Sequence, residues 1–556
     1  MKKIIILLFI TLNIFAQPPQ ILPLNPPIDP IGNLSSQAKI LLGKTLYWDE
    51  QLSSTKTVAC ASCHILSSGG TDPRLVMNPG FDGEFNTADD INGSAGVSQS
   101  CVQGEYVFNE TYGYKGQVTG RKAPSVINVG YAEQLFWDGR ASDQLIDPIS
   151  NQLVLSSGAA LESQILGPLT SSVEMGHTGR NWHDVIDSVE KSAPMALSPQ
   201  MSGELSSWIN SQSYYELFNM AFGSSEITAP RIAMAMASYE RSLYSNQSPY
   251  DNFVGGLQNS LNQQQRRGLN VFREKSCVVC HTGALLSDNN FHNIGVTPNI
   301  EDEGRFIVTG VNADRGRFKT PVLRNLSTRN TFMHSGTLTS LEQVIEFYDR
   351  GGDFQNPNLD PRMVPLNMTQ NEKVDLLAFL TGGLNDERVI NETGPFLRPT
   401  LYSESNRVPI ITGTGIAGLA EKIPVITAIE PPILGNDSFT VSIENSRENT
   451  HSVLVIDDED PGLAGLPEQS NKIIYIEKTI LSTQPDGHAS ISVILPNDDR
   501  LIGTRLYGRW YVEDNQAING YAISALLEFT LFEASGGHAG KIFSGDFENQ
   551  LLNCNE

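Results

Sequence analysis

The sequence predicts a mainly α-helical chain that ends in a C-terminal all-β domain of the sandwich type. Before about residue 399, apolar residues recur at helical spacing, and two such segments lead into the same short cysteine motif. Beyond that point, short β-type runs alternate with Asn, Asp, Gly and Pro. A chain of 556 residues is long enough for about three or four domains.

The cysteine motif is Cys-x-x-Cys-His, and the chain contains two copies of it. This is the attachment signal of a c-type haem, in which both thiols bond to the haem edge and the His binds the iron. A zinc site and a redox dithiol are the alternatives, but neither explains why His follows at once in both copies. The sequence therefore predicts two covalently bound haem c groups. The expected thioether bonds are made by Cys60 and Cys63 and by Cys277 and Cys280, and the expected proximal iron ligands are His64 and His281.

A helix is predicted in front of each motif, over 35–47 and over 261–272. This duplication predicts two cytochrome-c-like haem domains joined by a linker at 248–256. Further helices are expected over 229–243 and 371–380. The predicted organisation is a signal peptide at 1–16, an N-terminal haem domain at 17–255, a second haem domain at 256–398, and a β-rich accessory domain at 399–556.

The segment 71–120 follows the first motif and is rich in Gly, Asp, Asn and Ser. It has little periodic pattern, so we expect a long loop that is held by contacts to haem. Part of it, 82–90, resembles an oxygen-rich calcium loop. Its spacing differs from that of an EF-hand, which favours a plain acidic loop.

The N-terminus has the features of a secretory signal. Lys2 and Lys3 precede a short apolar run, and Ala16 is a small residue before the expected cleavage. The run is too short to favour spanning a bilayer, and no later stretch is long and apolar enough. We therefore expect a periplasmic or otherwise exported protein, which suits haem attachment outside the cytoplasm. Cys101 and Cys554 can pair in such a compartment, but we slightly favour two separate thiols.

Further short stretches occur in a fixed order around the two motifs, and with them the chain resembles the bacterial di-haem cytochrome c peroxidase and MauG family over roughly 34–384. Each stretch alone is a weak signal, whereas the ordered set is highly specific. The β domain lies outside the resemblance. The stretches include Gly43-Lys44-Thr45-Leu46-Tyr47, Ala123-Pro124-Ser125-Val126-Ile127-Asn128, Phe136-Trp137-Asp138-Gly139-Arg140-Ala141, Val173-Glu174-Met175-Gly176, Phe291-His292-Asn293-Ile294-Gly295 and Lys319-Thr320-Pro321-Val322-Leu323-Arg324-Asn325.

The resemblance implies that the first haem is the peroxidatic one. Glu174 matches the family's distal glutamate, an acid–base group, and Gln164 matches a glutamine that helps to line the pocket. In family members that need activation, a His from the loop after the first motif caps the iron. No His occurs between His64 and His177, so we expect an open, five-coordinate first haem. Met77 is the alternative cap, although a lone Met is more often a packing residue.

The resemblance also assigns residues around the second haem. Trp137 matches the tryptophan that relays electrons between the two haems. Tyr348 stands where the peroxidases have a Met ligand and MauG-type members a Tyr, so it is the expected sixth ligand. The alternatives are Met333 as ligand and an apolar helix face that carries Tyr348. The family's interdomain calcium is doubtful here, because Lys122 replaces its asparagine and the ammonium can substitute for the ion.

These residues predict an enzyme that reduces hydrogen peroxide at the first haem with electrons relayed through the second. The donor is expected to be a small redox protein, either a cytochrome or a copper protein. A MauG-like oxidase of a protein substrate and a non-catalytic electron-transfer protein are the alternatives. The formal charge of −24 argues against nucleic acid and is compatible with a basic electron carrier, or simply with solubility. For the β domain, docking to a partner or a cell-surface polymer is one hypothesis and a structural role is the alternative, and His451 and His488 are expected on its surface.

Overall fold

The structure is a computed structural model that describes residues 24–102, 104–436, 438–469, 474–480 and 486–534. The signal peptide predicted at 1–16 and the cysteine Cys554 lie outside these residues. Within them, no helix is both long and apolar enough to cross a membrane. Cys101 is disulfide-bonded, so the preference for an unpaired thiol at this position is wrong.

Two long helices, Gln37–Trp48 and Ala229–Ser242, form the centre of the first helical region. They approach closely at Gly43, where a Cβ would lie 1.9 Å from the carbonyl oxygen of Ala235. Both helices were predicted, and they support the segment that carries the first motif. The other helices of this region are Cys60–Cys63, Ala160–Ile165, Trp182–Lys191, Gly203–Ile209 and Tyr214–Phe222.

The second helical region repeats this arrangement with the helices Gln263–Glu274 and Gln370–Ala378. A Cβ on Gly268 would lie 1.9 Å from the carbonyl oxygen of Asp375, so a glycine again permits the close approach. Both helices were predicted. The remaining elements are the helices Phe306–Thr309, Leu341–Asp349 and Glu387–Ile390, the π-helical turn Phe379–Gly383, and the paired strands Phe291–His292 and Phe318–Lys319.

The prediction of a linker at 248–256 is wrong, because Pro249–Val254 forms a helix. Tyr250 is buried in the core of the second helical region. Asp251 accepts two hydrogen bonds from the Arg324 guanidinium, at 2.6 and 2.7 Å, and both side chains are buried. The segment is therefore held as firmly as the helices around it, although its Ser, Pro and Asn content is typical of a linker.

The loop predicted at 71–120 is largely irregular but contains two short hairpins. Met77–Asn78 pairs with Ile91–Asn92, and Ala95–Ser98 pairs with Gly116–Val118. We call the second pair, together with the residues 99–115 that join its strands, the distal hairpin. Both pairs are two to four residues long, too short for the period-2 pattern that reveals a strand in sequence.

The C-terminal region is built from antiparallel strands in two sheets, as predicted. One core cluster joins the sheets. The ring centroids of Phe439 in the first sheet and Phe529 in the second are 4.9 Å apart. The first sheet contains Val425–Thr427, Phe439–Ser446 and Gly487–Val493. The second runs in the order Ile474–Ile480, Thr450–Asp457, Arg505–Glu513, Leu526–Thr530 and Ile410–Thr412, with Tyr521–Ile523 also paired to Arg505–Glu513.

The β region packs directly on the first helical region. Tyr402 and Phe532 stack with ring centroids 6.1 Å apart and share a buried cluster with Ala196 and Leu197. The Glu50 carboxylate accepts hydrogen bonds from the backbone amides of Tyr402 and Ser403. The contact thus combines apolar packing with a buried carboxylate, as inside a single domain.

This buried carboxylate predicts a pH-dependent stability. Burial raises the pKa of Glu50 from its ordinary value of 4.5 to about 8. Between those values the folded chain binds the proton that the unfolded chain has lost, so stability falls as pH rises, by up to about 1.4 kcal/mol per pH unit. We expect Glu50→Gln to flatten this fall. Denaturant unfolding between pH 5 and 8 measures it, and parallel curves for the two proteins would contradict the prediction.

Candidate functional site

The first motif presents a His whose proton is held on one ring nitrogen. The short helix Cys60–Cys63 ends at His64, whose Nδ1 lies 3.2 Å from the carbonyl oxygen of Gly70. A carbonyl only accepts, so Nδ1 carries the proton and Nε2 keeps its lone pair. Burial lowers the pKa of His64, which favours the neutral ring that a metal requires.

The second motif has the same chemistry. His281 Nδ1 lies 2.9 Å from the carbonyl oxygen of Leu286, and burial lowers the pKa of its ring. Burial also raises the pKa of the Cys277 thiol to about 11 and that of Cys63 to about 12. A zinc site needs ligand atoms that converge on one point, and among the described residues the two Cys and the His of neither motif lie together within 4.8 Å. Both motifs therefore fit thioether attachment better than a zinc site.

A cavity of about 290 Å³ adjoins the second motif. Cys277, Cys280 and His281 line it, together with Tyr348 from the helix Leu341–Asp349. Burial raises the pKa of the Tyr348 phenol, and the neighbouring Cys277 raises it further. The structure thus brings the predicted sixth ligand into the same cavity as the predicted proximal ligand.

The cavity also contains buried polar atoms that have no partner among the described residues. They are Arg329 Nε, Thr331 Oγ1 and His334 Nε2. Buried polar groups are nearly always hydrogen-bonded, so this wall is suited to a ligand with polar substituents. Haem is such a ligand, because it has an apolar ring and two carboxylates. The residues of the second site therefore fit a haem.

His334 was not predicted as a site residue. It stacks on Phe318 with ring centroids 3.5 Å apart, and burial lowers its pKa to about 4. Its ring lies 6.3 Å from that of Trp137. In the sequence it is marked only as the neighbour of Met333, the alternative ligand, whereas its contacts come from residues distant in the chain.

Glu174 lies beside the first motif. The strand Ala95–Ser98 contacts both, because Cys63 Sγ lies 3.6 Å from the Ala95 carbonyl oxygen and the Val97 amide donates to the Glu174 carbonyl oxygen at 3.0 Å. The charge of Glu174 also contributes to the raised pKa values of Cys60 and Cys63. Burial raises the pKa of Glu174 itself, while a hydrogen bond from Ser171 and the charge of Arg140 oppose the rise. A partly desolvated carboxylate of this kind can both donate and accept a proton.

The other residues considered for the first site have weaker connections to it. Gln164 is half-buried in the last turn of the helix Ala160–Ile165, and no hydrogen bond among the described residues joins it to Glu174. His177 is buried, and its Nδ1 lies 3.0 Å from the Thr178 carbonyl oxygen. Met77 is 41% exposed in a short strand, a poor position for an iron ligand.

Trp137 connects the surroundings of the two motifs. It lines the cavity at the second motif, and its indole donates to the Lys122 carbonyl oxygen at 2.7 Å. Lys122 Nζ donates in turn to the carbonyl oxygen of Asp72, whose carboxylate binds Arg74. Arg74 Nη2 lies 3.4 Å from Cys63 Sγ. A short series of contacts therefore runs from one motif to the other.

In the two stretches considered for calcium, the charged side chains form hydrogen bonds with nearby backbone groups. The ammonium of Lys122, the residue expected to replace the calcium ligand, donates to the Asp72 carbonyl oxygen. In the acidic loop, Asp89 accepts from the amides of Phe81 and Asp82 at 2.6 and 2.9 Å. These bonds lower its pKa to about 2. The carboxylate thus organises its own loop.

Two partly buried Cys-x-x-Cys-His sites, one with a carboxylate nearby and the other sharing a cavity with a tyrosine, define a di-haem c-type oxidoreductase. Comparison with known proteins gives the family. The family model described as di-haem cytochrome c peroxidase matches residues 37–259. The cytochrome c551 peroxidase of Nitrosomonas europaea is 30% identical over 332 residues, covering 59% of this chain and 78% of that protein. The chain belongs to the di-haem cytochrome c peroxidase family.

Both branches of the family are among its relatives. The methylamine utilization protein MauG of Methylophilus methylotrophus is 28% identical over 354 residues, which cover 63% of this chain and 84% of that protein. A solved structure described as a MauG-like protein associated with microbial copper homeostasis matches with a TM-score of 0.50 and 25% identity. That match covers 70% of this chain and 98% of the other.

Proposed function

We propose that this protein is an exported enzyme that reduces hydrogen peroxide to water at its first haem, with electrons that enter through the second. The observation that carries the proposal is Glu174, a desolvated carboxylate beside the first motif. Bound at that motif, haem supplies the iron that binds peroxide and delivers electrons to it. Two electrons and two protons convert one hydrogen peroxide into two waters, so each turnover requires an electron donor and a proton carrier.

Glu174 is the proposed proton carrier. Its carboxylate would take a proton from one oxygen of the peroxide and return it to the other, which would leave as water. The raised pKa supports this role, because the carboxylate must gain and lose a proton in each turnover. Gln164 is proposed to line the same pocket without exchanging a proton.

Trp137 is the proposed electron relay, and Tyr348 the proposed sixth ligand of the second haem. An indole can be oxidised by one electron to a delocalised radical, and Trp137 has contacts toward both sites. Tyr348 shares the cavity with His281. A phenolate ligand stabilises oxidised iron, whereas a Met ligand raises the potential.

The tyrosine favours a second candidate function, the peroxide-driven oxidation of a protein or another large substrate. In that case the electrons come from covalently modified substrate residues and not from a small cytochrome or copper protein. A chain that only transfers electrons is the third candidate. It has no use for a desolvated carboxylate beside the first motif.

Stopped-flow absorbance separates these candidates. We mix the fully oxidised holoprotein with one equivalent of hydrogen peroxide. Because no His lies between His64 and His177, we expect prompt conversion to a high-valent spectrum, beyond the ferric state, without prior reduction. A reaction that starts only after one haem is reduced would contradict an open first haem and indicate a hidden sixth ligand. No reaction in either state would favour electron transfer alone.

A further inference from the structure

We infer that the C-terminal β domain is a positioning element of the peroxide site, which holds the Glu174 backbone through two segments of the first helical region. The inference rests on the proposed role of Glu174. It assigns the β domain a task in the reaction. The family resemblance does not cover this domain and so gives it no role. The contacts form two series that start in the β domain and meet at residues 174–177.

The backbone around Glu174 is held from both sides. The distal hairpin provides the first contact, as the Val97 amide donates to the Glu174 carbonyl oxygen at 3.0 Å. The segment before the first motif provides the second, as the Ser54 amide donates to the Met175 carbonyl oxygen at 2.9 Å. Ser54 Oγ also accepts from the His177 amide at 2.7 Å. The orientation of the carboxylate therefore depends on where these two segments lie.

The β domain clamps the chain that joins the strands of the distal hairpin. Ser490 Oγ contacts the Glu105 carboxylate at 3.1 Å and donates to the Tyr106 carbonyl oxygen at 2.7 Å. Lys478 forms an ion pair with Glu105 at 3.2 Å. The prediction that His488 is a plain surface residue needs correction, because its ring is half-buried.

His488 stacks on Phe108 of the same chain segment. The ring centroids are 3.9 Å apart and the rings are inclined by 9°. Between the two short strands, the regular structure of this segment is limited to two isolated β-bridges, Ser100 with Tyr106 and Asn109 with Gly113. Apart from the disulfide at Cys101, its position is therefore set by what it packs against, which includes the β domain.

The segment before the first motif is held by the same domain. Lys56 Nζ donates to Asn436 Oδ1 at 3.1 Å and contacts Ser438 Oγ at 3.3 Å. Thr440 Oγ1 donates to the Gly104 carbonyl oxygen at 3.3 Å. One short stretch of the β domain thus touches both segments that hold the Glu174 backbone. Catalytic groups lose efficiency when they shift by about 1 Å, which gives such a clamp a function.

The test compares three full-length holoprotein variants, each mixed with hydrogen peroxide. His488→Ala removes the stack on Phe108, and we expect the second-order rate of peroxide reaction to fall about tenfold or more. His488→Phe keeps an aromatic ring and should restore most of the rate. His451→Ala is the matched control, because His451 lies in the same domain between Glu477 and Glu513. It should react like the unaltered protein.

Amide hydrogen exchange gives a readout that does not depend on the reaction. We expect faster exchange over 95–118 in His488→Ala, with unchanged exchange around the second motif. Unchanged exchange and an unchanged rate in His488→Ala would overturn the inference, as would an equal loss of rate in His451→Ala. The proposed function fails separately, if Glu174→Gln reacts at the normal rate while the exchange result stands.

Discussion

Replacing Glu174 with Gln should slow peroxide consumption by about 10²- to 10⁴-fold, the usual contribution of a positioned acid–base group. Gln has nearly the same shape as Glu but cannot accept a proton at neutral pH. The substitution therefore keeps the packing of the loop and removes the proton transfer. Turnover with a reduced electron donor and hydrogen peroxide measures the loss, and stopped-flow absorbance locates it in the peroxide step.

Two controls make this result specific. Haem content and the absorbance of both haems should be unchanged, because Glu174 is not part of either attachment motif. Glu190→Gln, on an exposed position of the helix Trp182–Lys191, should leave turnover unchanged. Normal turnover in Glu174→Gln would remove the residue from the mechanism and leave the electron-transfer candidate in its place.

The parts of the site that could be predicted are those formed by residues adjacent in the sequence. The thiols and His of each motif are adjacent in sequence, and the helix before each motif has a clear apolar period. Glu174 was found through its neighbours Val173, Met175 and Gly176. The burial of its carboxylate could not be predicted, because it depends on residues that are distant in the sequence and close only in the fold.

The features that were missed are set by long-range contacts. The helix Pro249–Val254 has the composition of a linker, and only burial of Tyr250 and the Asp251–Arg324 pair make it part of the core. His488 gave no sign of its stack on Phe108, 380 residues earlier in the numbering. Partners separated by such distances leave no local pattern in one sequence.

The second large effect is expected at Tyr348. Tyr348→Phe removes the oxygen that is proposed to bind the second iron, so the spectrum of that haem should change from low spin to high spin. Tyr348→Met supplies a thioether in its place and should restore a low-spin haem with a higher reduction potential. Axial ligands set haem potentials over about 0.8 V, so the change should be large enough for a simple redox titration.

The consequence for function follows from the potential. A second haem that is harder to oxidise stores an oxidising equivalent less well, so Tyr348→Met should oxidise large substrates poorly while accepting electrons readily from a small redox protein. Tyr250→Phe is the matched control, because Tyr250 is buried in the same helical region but does not line the cavity. If Tyr348→Phe left the second haem's spectrum as it was, the ligand would be another residue. Met333, which lines the same cavity, would then be the first to replace.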